Sequence, residues 1–199
     1  PGFLVFLLLA ILFVGSGARA QEDNVYQAGV QPASRTSVPI VELVSYSIGD
    51  SMWSRFGHSA LRVIDPTRRT DLVYSFGHTD FSQGGFAWSY LRHTKHFNLG
   101  VRTWESALSR YRRENRTIER QRLNLSDAQA RSIAERLRLN ALPENREYLY
   151  DQLLDNCATR IRDLLDEVTG GSLRRAVEGS GLGRTYRYFT LDASKGAWP

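Results

Sequence analysis

Cysteine is almost absent from this chain, since Cys157 is the only one among 199 residues. A single cysteine cannot close an internal disulfide, so its thiol stays free, binds a metal or takes part in chemistry. Internal repeats, coiled-coil heptads and a glycine-rich phosphate-binding loop are also missing. The sequence therefore excludes a disulfide-stapled scaffold, a repeat array and a P-loop nucleotide-binding protein.

The chain has one extended apolar run, at residues 3–14, and this run is too short to span a bilayer comfortably. Small residues ending in Ala18-Arg19-Ala20 follow it, and this pattern predicts a signal peptide at 1–20, cleaved after Ala20. An uncleaved N-terminal anchor is the alternative. Residues 21–37 are polar and predict a flexible lead-in, so we expect an exported protein whose folded part begins near Val38.

Acidic residues are fewer than basic ones: the chain has 21 Asp and Glu against 26 Lys and Arg, which gives a formal net charge of +5. Arginine supplies nearly all of the positive charge, with a cluster at residues 110–122. Nucleic acid is a poor partner outside the cytoplasm, so we expect no nucleic-acid binding and favour an anionic phospholipid surface or an acidic polymer. The alternative is a solvated face in which these arginines pair with Glu105, Glu114 and Glu119.

The length after residue 20 suits one domain, which we place at 38–175, with residues 176–199 as a C-terminal segment that lacks an evident terminus. Alternating and β-branched patterns predict antiparallel strands. A capping box at Ser126 and a helical apolar period after Cys157 predict two longer helices. The predicted strands lie at 38–48, 57–64, 72–76, 96–101 and 117–123, and the predicted helices at 104–111, 126–140 and 157–169.

Cys157 opens the last of these helices, within residues 155–160 (Asp-Asn-Cys-Ala-Thr-Arg). A helix N-terminus offers unpaired backbone N–H groups and the positive end of the helix dipole, and both favour thiolate over thiol. The polar neighbours argue against the structural alternative, which is a cysteine that packs as a small apolar residue. Cys157 is therefore a candidate nucleophile.

His58 lies on the predicted strand at 57–64, where it shares one face with Ala60 and Arg62. Its imidazole is the candidate base that takes the proton of the Cys157 thiol. A third polar group should orient the imidazole, and we prefer Asp80 to His78 because a carboxylate better stabilises an imidazolium. The structural alternatives are that Asp80 caps a turn and that His58 is a core histidine.

Five segments resemble, in the same order, motifs of the Lnb N-terminal periplasmic domain family. They are residues 56–62 (Phe-Gly-His-Ser-Ala-Leu-Arg), 74–81 (Tyr-Ser-Phe-Gly-His-Thr-Asp-Phe), 115–116 (Asn-Arg), 143–146 (Pro-Glu-Asn-Arg) and 155–160. The resemblance spans roughly residues 41–171 and includes Asp80. A strand histidine followed by a helix cysteine is also similar to circularly permuted papain-like thiol enzymes of the NlpC/P60 and lecithin:retinol acyltransferase type.

The resemblance implies an α+β, circularly permuted papain-like fold of the NlpC/P60 type, with an antiparallel sheet and the nucleophile at a helix N-terminus. It implies a cysteine-dependent acyltransferase that works through a thioester, without a metal or an organic cofactor. Lnb proteins resemble lipoprotein N-acyltransferases. The implied partners are therefore a phospholipid acyl donor, a lipoprotein N-terminus and a membrane surface, and the implied location is the periplasm.

Two residues beside the cysteine are candidate substrate-binding residues. Asn156 or a nearby side chain, together with the backbone N–H of Cys157, would donate hydrogen bonds to a tetrahedral oxyanion. Arg160 lies on roughly the same helix face as Cys157 and would steady the thiolate or a substrate phosphate. The alternative for Arg160 is an ion pair with Asp163 or Glu167.

Three other functions fit parts of the sequence. A thiol peptidase or amidase acting on peptidoglycan would use Cys157 and His58 with water as the acceptor. A metal-binding module would combine Cys157 with His58, His78 or the pair His93 and His96, but that pair has no second cysteine or carboxylate at ligand spacing. A catalytically silent binding module is the third alternative, and the presence of both Cys157 and His58 argues against it.

Overall fold

A computed structural model of the chain describes residues 37–50, 54–79, 92, 94–181, 183–185, 187–188 and 191–192. The predicted signal peptide, the lead-in up to residue 36, Asp80 and His93 lie outside these residues. None of the helices in the described part of the chain combines the length and the apolar character that a membrane span requires.

The described residues form an α+β domain with six strands and four helices. The strands are β1 Ile40–Tyr46, β2 His58–Asp65, β3 Thr70–His78, β4 His96–Thr103, β5 Ile118–Arg122 and β6 Glu147–Leu149. The helices are α1 Trp104–Arg113, α2 Asp127–Asn140, α3 Cys157–Val168 and α4 Ser172–Val177. All strand pairs are antiparallel, and the sheet order is β5-β1-β2-β3-β4-β6.

Alternating side chains of the central strands supply two cores, one on each face of the sheet. The larger core joins residues such as Leu43 and Leu61 to α2 and α3. The smaller core joins Val44, Tyr46, Ala60 and Val73 to Ala107 and Tyr111 of α1. His58 and Ala60 share a face by the two-residue strand period, as the sequence predicts, so His58 points toward the α1 side.

The sheet opens between β2 and β3 at one end. Their paired positions run from Asp65 and Thr70 to Leu61 and Tyr74, and the register of β3 against β4 shifts between Ser75 and His78. Gly77 lies within this shift with a φ of 93°, a conformation that glycine adopts without the penalty of a Cβ. The opening separates the start of β2 from the end of β3, and α3 begins there.

Each predicted strand is present as a strand and each predicted helix as a helix, with small differences at their ends. The capping box of α2 forms as expected, because Ser126 N–H donates to Gln129 Oε1 at 2.9 Å and Gln129 N–H donates to Ser126 Oγ at 3.3 Å. The buried stripe of α2 contains Ala130, Ile133 and Leu137, whereas Leu139 is 40% exposed. The sequence analysis missed β6 and α4.

Candidate active site

The cap of α3 fixes the position of Cys157. The Asn156 side chain accepts hydrogen bonds from Ala158 N–H at 2.9 Å and Thr159 N–H at 3.0 Å. In return, Asn156 N–H donates to Thr159 Oγ1 at 2.7 Å. The amide nitrogen of Asn156 donates to the Gln152 carbonyl at 2.8 Å, so the side chain is engaged at both ends in holding the helix start.

The Cys157 thiol lies in the opening between β2 and β3. The residue is partly exposed, yet burial around its sulfur raises the pKa of the thiol, and the backbone N–H groups of Ser59, Ala158 and Cys157 offset only part of that effect. A Cβ added to Gly77 would lie 4.0 Å from the Cys157 Cβ, so the β3 backbone passes close to the Cys157 side chain. The N–H groups at the helix start lower the pKa of the thiol as the sequence predicts, but desolvation outweighs them, so the net shift is upward.

His58 is held on the other side of the same opening. Its Nε2 lies 2.6 Å from Ser75 Oγ, and its ring stacks on Tyr46 with centroids 5.9 Å apart. Burial lowers the pKa of His58 to about 3, and the charges of His78, Arg116 and Arg110 act in the same direction. The imidazole is therefore neutral at pH 7 and able to accept a proton.

Cys157 and His58 approach the opening from opposite faces of the sheet. The backbone N–H of Ser59 acts on the Cys157 thiol and lowers its pKa, so Cys157 lies beside Ser59, the residue that follows His58. No hydrogen bond directly joins the two side chains, both of which lie in the described part of the chain, and the imidazole binds Ser75 instead. Asp80, the predicted orienting residue, lies outside the described residues, so its prediction stays open.

Ser75 is a site residue that the sequence analysis missed. The hairpin register contained the signal, because continuing the pairing of Leu61 with Tyr74 by one position would bring Ser75 opposite Ala60, two residues from His58 on the same strand. Ser75 also follows Val73 by two residues, so its side chain faces the α1 side with His58.

His78 lies near His58 without binding it in the described part of the structure. The His78 ring packs on Gly100, where an added Cβ would lie 2.5 Å from His78 Cδ2, so only glycine leaves room for it. Burial lowers the pKa of His78 to about 4, with contributions from Arg102 and Arg110. His78 is therefore a second neutral histidine close to the site.

Arg160 is held by its neighbours. Its Nε and Nη2 donate to the two carboxylate oxygens of Asp155 at 2.6 and 2.8 Å, and its guanidinium carbon lies 3.7 Å from the Tyr148 ring centroid. The ion pair is thus with Asp155, not with Asp163 or Glu167 as the alternative interpretation expected. Whether Arg160 also binds substrate stays a prediction.

Two arginines of the cluster at residues 110–122 form ion pairs with a glutamate. Arg110 Nε lies 2.9 Å from one oxygen of Glu114, and Arg116 Nη1 lies 3.3 Å from the other. Arg116 also donates from Nε to the Ser47 carbonyl at 2.8 Å, and its side chain is only 6% exposed. The expected pairing with Glu114 is confirmed for these two arginines.

Exposed leucines lie close to the start of α3. Leu153 is 39% exposed and Leu154 is 65% exposed. Their backbone N–H groups both donate to Asp151 Oδ1 at 2.8 Å, which fixes the turn that carries them. A cavity of about 570 Å³ lies beside this turn, and its lining includes Phe76, Leu139, Leu154 and Arg160. The surface beside the turn that precedes α3 is thus partly apolar.

Within the described ranges, no group of three or more His, Cys, Asp and Glu side chains is arranged to hold a metal ion. Fold and site together define an α+β domain with a capped cysteine helix at the opening of an antiparallel sheet, beside a buried histidine. The sequence model of the Lnb N-terminal periplasmic domain matches residues 23–192, and the chain belongs to this family. The family description supports a periplasmic location. No curated protein and no solved structure matches the chain significantly.

Proposed function

We propose that this domain transfers acyl groups through a thioester on Cys157, with His58 as the general base, on a circularly permuted papain-like scaffold. The observation that carries the proposal is the position of Cys157, the first residue of the capped helix α3, at the sheet opening where β2 begins with His58. A nucleophile at a helix start, with its base on a neighbouring strand, suits attack on an acyl carbonyl.

The neutral state of both groups supports concerted proton transfer. Burial raises the pKa of the thiol and lowers that of His58, so a thiol and a neutral imidazole are the resting forms. In the orientation we propose, Nε2–H donates to Ser75 Oγ, which leaves the Nδ1 lone pair to accept the thiol proton. Because the lowered pKa of His58 makes the resting imidazole a weak base, the proton does not move before the attack begins. Proton removal then accompanies the attack by sulfur instead of preceding it.

The two half-reactions balance without a cofactor. In the first, the Sγ–C bond forms, the ester C–O bond breaks, and the leaving alkoxide takes the proton from the His58 imidazolium. In the second, an amine attacks the thioester, its proton passes to His58 and then to the departing thiolate, and an amide remains. The first donor to test is a phospholipid, and the first acceptor is a lipoprotein N-terminus.

Two surface properties support a lipid substrate at a membrane surface. Leu153 and Leu154 expose apolar side chains next to the helix that begins with Cys157. The formal net charge of +5 favours approach to an anionic bilayer, which attracts basic residues by roughly 1 kcal/mol each.

The test is direct detection of the acyl-enzyme. The chain is incubated with anionic phospholipid vesicles, and intact-protein mass spectrometry measures added mass on Cys157. We expect one acyl group, released by neutral hydroxylamine, and none in Cys157→Ala. A peptide with a lipidated N-terminal cysteine should then accept the acyl group as an amide. A thioester that only water resolves would indicate a hydrolase, and an unmodified Cys157 with every ester and amide donor tried would refute thiol catalysis.

A further inference from the structure

The Tyr148 hydroxyl is a buried polar group without an evident structural use. Its oxygen is inaccessible to solvent and has no hydrogen-bond partner of good geometry in the described part of the chain. The Tyr148 ring is well fixed, because the Arg160 guanidinium lies 3.7 Å from its centroid and Phe76 packs edge-on at 6.1 Å. A buried hydroxyl that is rigidly held and whose proton has no acceptor requires an explanation, since most such groups find a partner.

The same hydroxyl lies close to the Cys157 nucleophile. Gly77 connects the two, because its backbone approaches the Cys157 side chain and its N–H group acts on the Tyr148 oxygen. Burial raises the pKa of Tyr148, and the charge of Cys157 is the next largest cause. The phenol therefore keeps its proton at neutral pH and is a hydrogen-bond donor beside the thiol.

We infer that the Tyr148 hydroxyl donates a hydrogen bond to the oxyanion that forms when Cys157 attacks an acyl carbonyl, alongside the backbone N–H of Cys157. The inference rests on the proposed function, and it assigns the side-chain donor to Tyr148 in place of Asn156, whose amide group binds the Gln152 carbonyl and holds the helix start. A donor that is already oriented and desolvated stabilises developing charge without reorganisation in the transition state.

Arg160 is a positioning residue for this donor. Its guanidinium is fixed over the Tyr148 ring by the two-point ion pair with Asp155. A cation over the ring withdraws electron density from the phenol, which strengthens the hydroxyl as a donor. This contact gives Arg160 a role without direct contact to substrate.

The test compares two reactions of the same thiol. Stopped-flow release of p-nitrophenolate from p-nitrophenyl butyrate reports acylation, which passes through an oxyanion, whereas alkylation by iodoacetamide displaces iodide without one. We expect Tyr148→Phe to slow acylation by about 100-fold, the usual loss for one oxyanion donor, and to leave alkylation within about twofold of the parent. Arg160→Gln should slow acylation less and also spare alkylation.

Tyr150→Phe is the matched control, because its hydroxyl donates to Gln152 Oε1 at 3.0 Å and its ring stacks on Phe97. Thermal unfolding should show Tyr148→Phe as stable as the parent, since it removes a hydroxyl with no partner to lose. Equal acylation rates for Tyr148→Phe and the parent, or a parallel loss of acylation and alkylation, would overturn the inference. A parent chain that is alkylated but never acylated would refute the proposed function instead.

Discussion

The contact between Ser75 Oγ and His58 Nε2, at 2.6 Å, ties the proposed base to β3. If Ser75 orients the imidazole, Ser75→Ala should slow acylation of Cys157 by about 10- to 100-fold, because the ring then samples unproductive orientations. The measurement is the pH profile of p-nitrophenyl butyrate acylation. The profile should also shift along the pH axis, since the mutation changes the environment of the titrating ring.

Ser45→Ala is the control for this substitution. Ser45 lies on the neighbouring strand β1, opposite Ser59, and on the other face of the sheet from Ser75. It should leave both the rate and the pH profile unchanged. Ser75→Thr keeps the hydroxyl and should restore most of the rate. An unaltered profile in Ser75→Ala would show that the serine only packs against the ring.

At the residue scale, sequence reasoning predicts the helix start at Cys157 and the strand that carries His58, but not the electrostatics of the two groups. The spacing of residues around Cys157 predicts a helix start, and the start is there. The pKa of the thiol also depends on how closely the chain encloses it, and the backbone of Gly77 and Ser59 comes from strands about a hundred residues away in sequence. The position of Cys157 at a helix start predicts that backbone N–H groups lower the pKa of the thiol. It does not predict the effect of burial.

The Asn156 N-cap of α3 holds the first helical turn, which carries the Cys157 thiol. Asn156→Ala removes the acceptor for two backbone N–H groups and should lower the free energy of unfolding by about 1 kcal/mol. It should also change the iodoacetamide alkylation rate of Cys157, because the first turn of the helix carries the thiol. Urea unfolding and alkylation kinetics measure the two effects.

Ser126→Ala is the matched control, because it removes the equivalent cap of α2, which lies at a distance from Cys157 in the chain. It should cost a similar free energy of unfolding and leave the alkylation rate unchanged. Asn156→Asp keeps the acceptor oxygen and should recover stability. If both alanine variants altered alkylation equally, global loosening and not the α3 cap would control the thiol.

At the element scale, long periodic segments were predictable and short ones were not. The strands from β1 to β4 span seven to nine residues each, and α2 carries its capping box in the sequence. In contrast, β6 contains three residues, and its place in the sheet depends on pairing Phe97 with Tyr148, between which α1, β5 and α2 intervene in the chain. The α4 helix spans six residues with no side-chain cap, so its local signal is weak.

At the scale of the whole molecule, the site lies where the two cores meet. The Cys157 helix packs with the larger core, whereas His58, Ser75 and Tyr46 belong to the α1 side of the sheet. The sequence predicts the face of each strand residue, but the opening that joins the two faces depends on the register shift of β3 at Gly77. Such a shift is a tertiary feature, and no local pattern predicts it.

The two buried histidines make the stability of the whole domain depend on pH. Their pKa values fall to about 3 for His58 and about 4 for His78 in the folded state, against about 6.5 in an unfolded chain. Between these limits the unfolded chain binds protons that the folded chain does not. Their contribution to stability is therefore complete above about pH 6.5 and is lost as the pH falls toward 4.

Urea unfolding at pH 7.5, 6.5, 5.5 and 4.5 should show this loss, with a combined size of a few kcal/mol. The variants His58→Gln and His78→Gln should each flatten the curve over this range, whereas His96→Gln, at an exposed histidine, should not. Carboxylates paired in the folded state, such as Asp65, have lowered pKa values and act at lower pH, so they do not produce the same window. A parent curve that is level from pH 7.5 to 4.5 would mean that both histidines keep nearly their ordinary pKa values in the folded protein, which would contradict the effect of their burial.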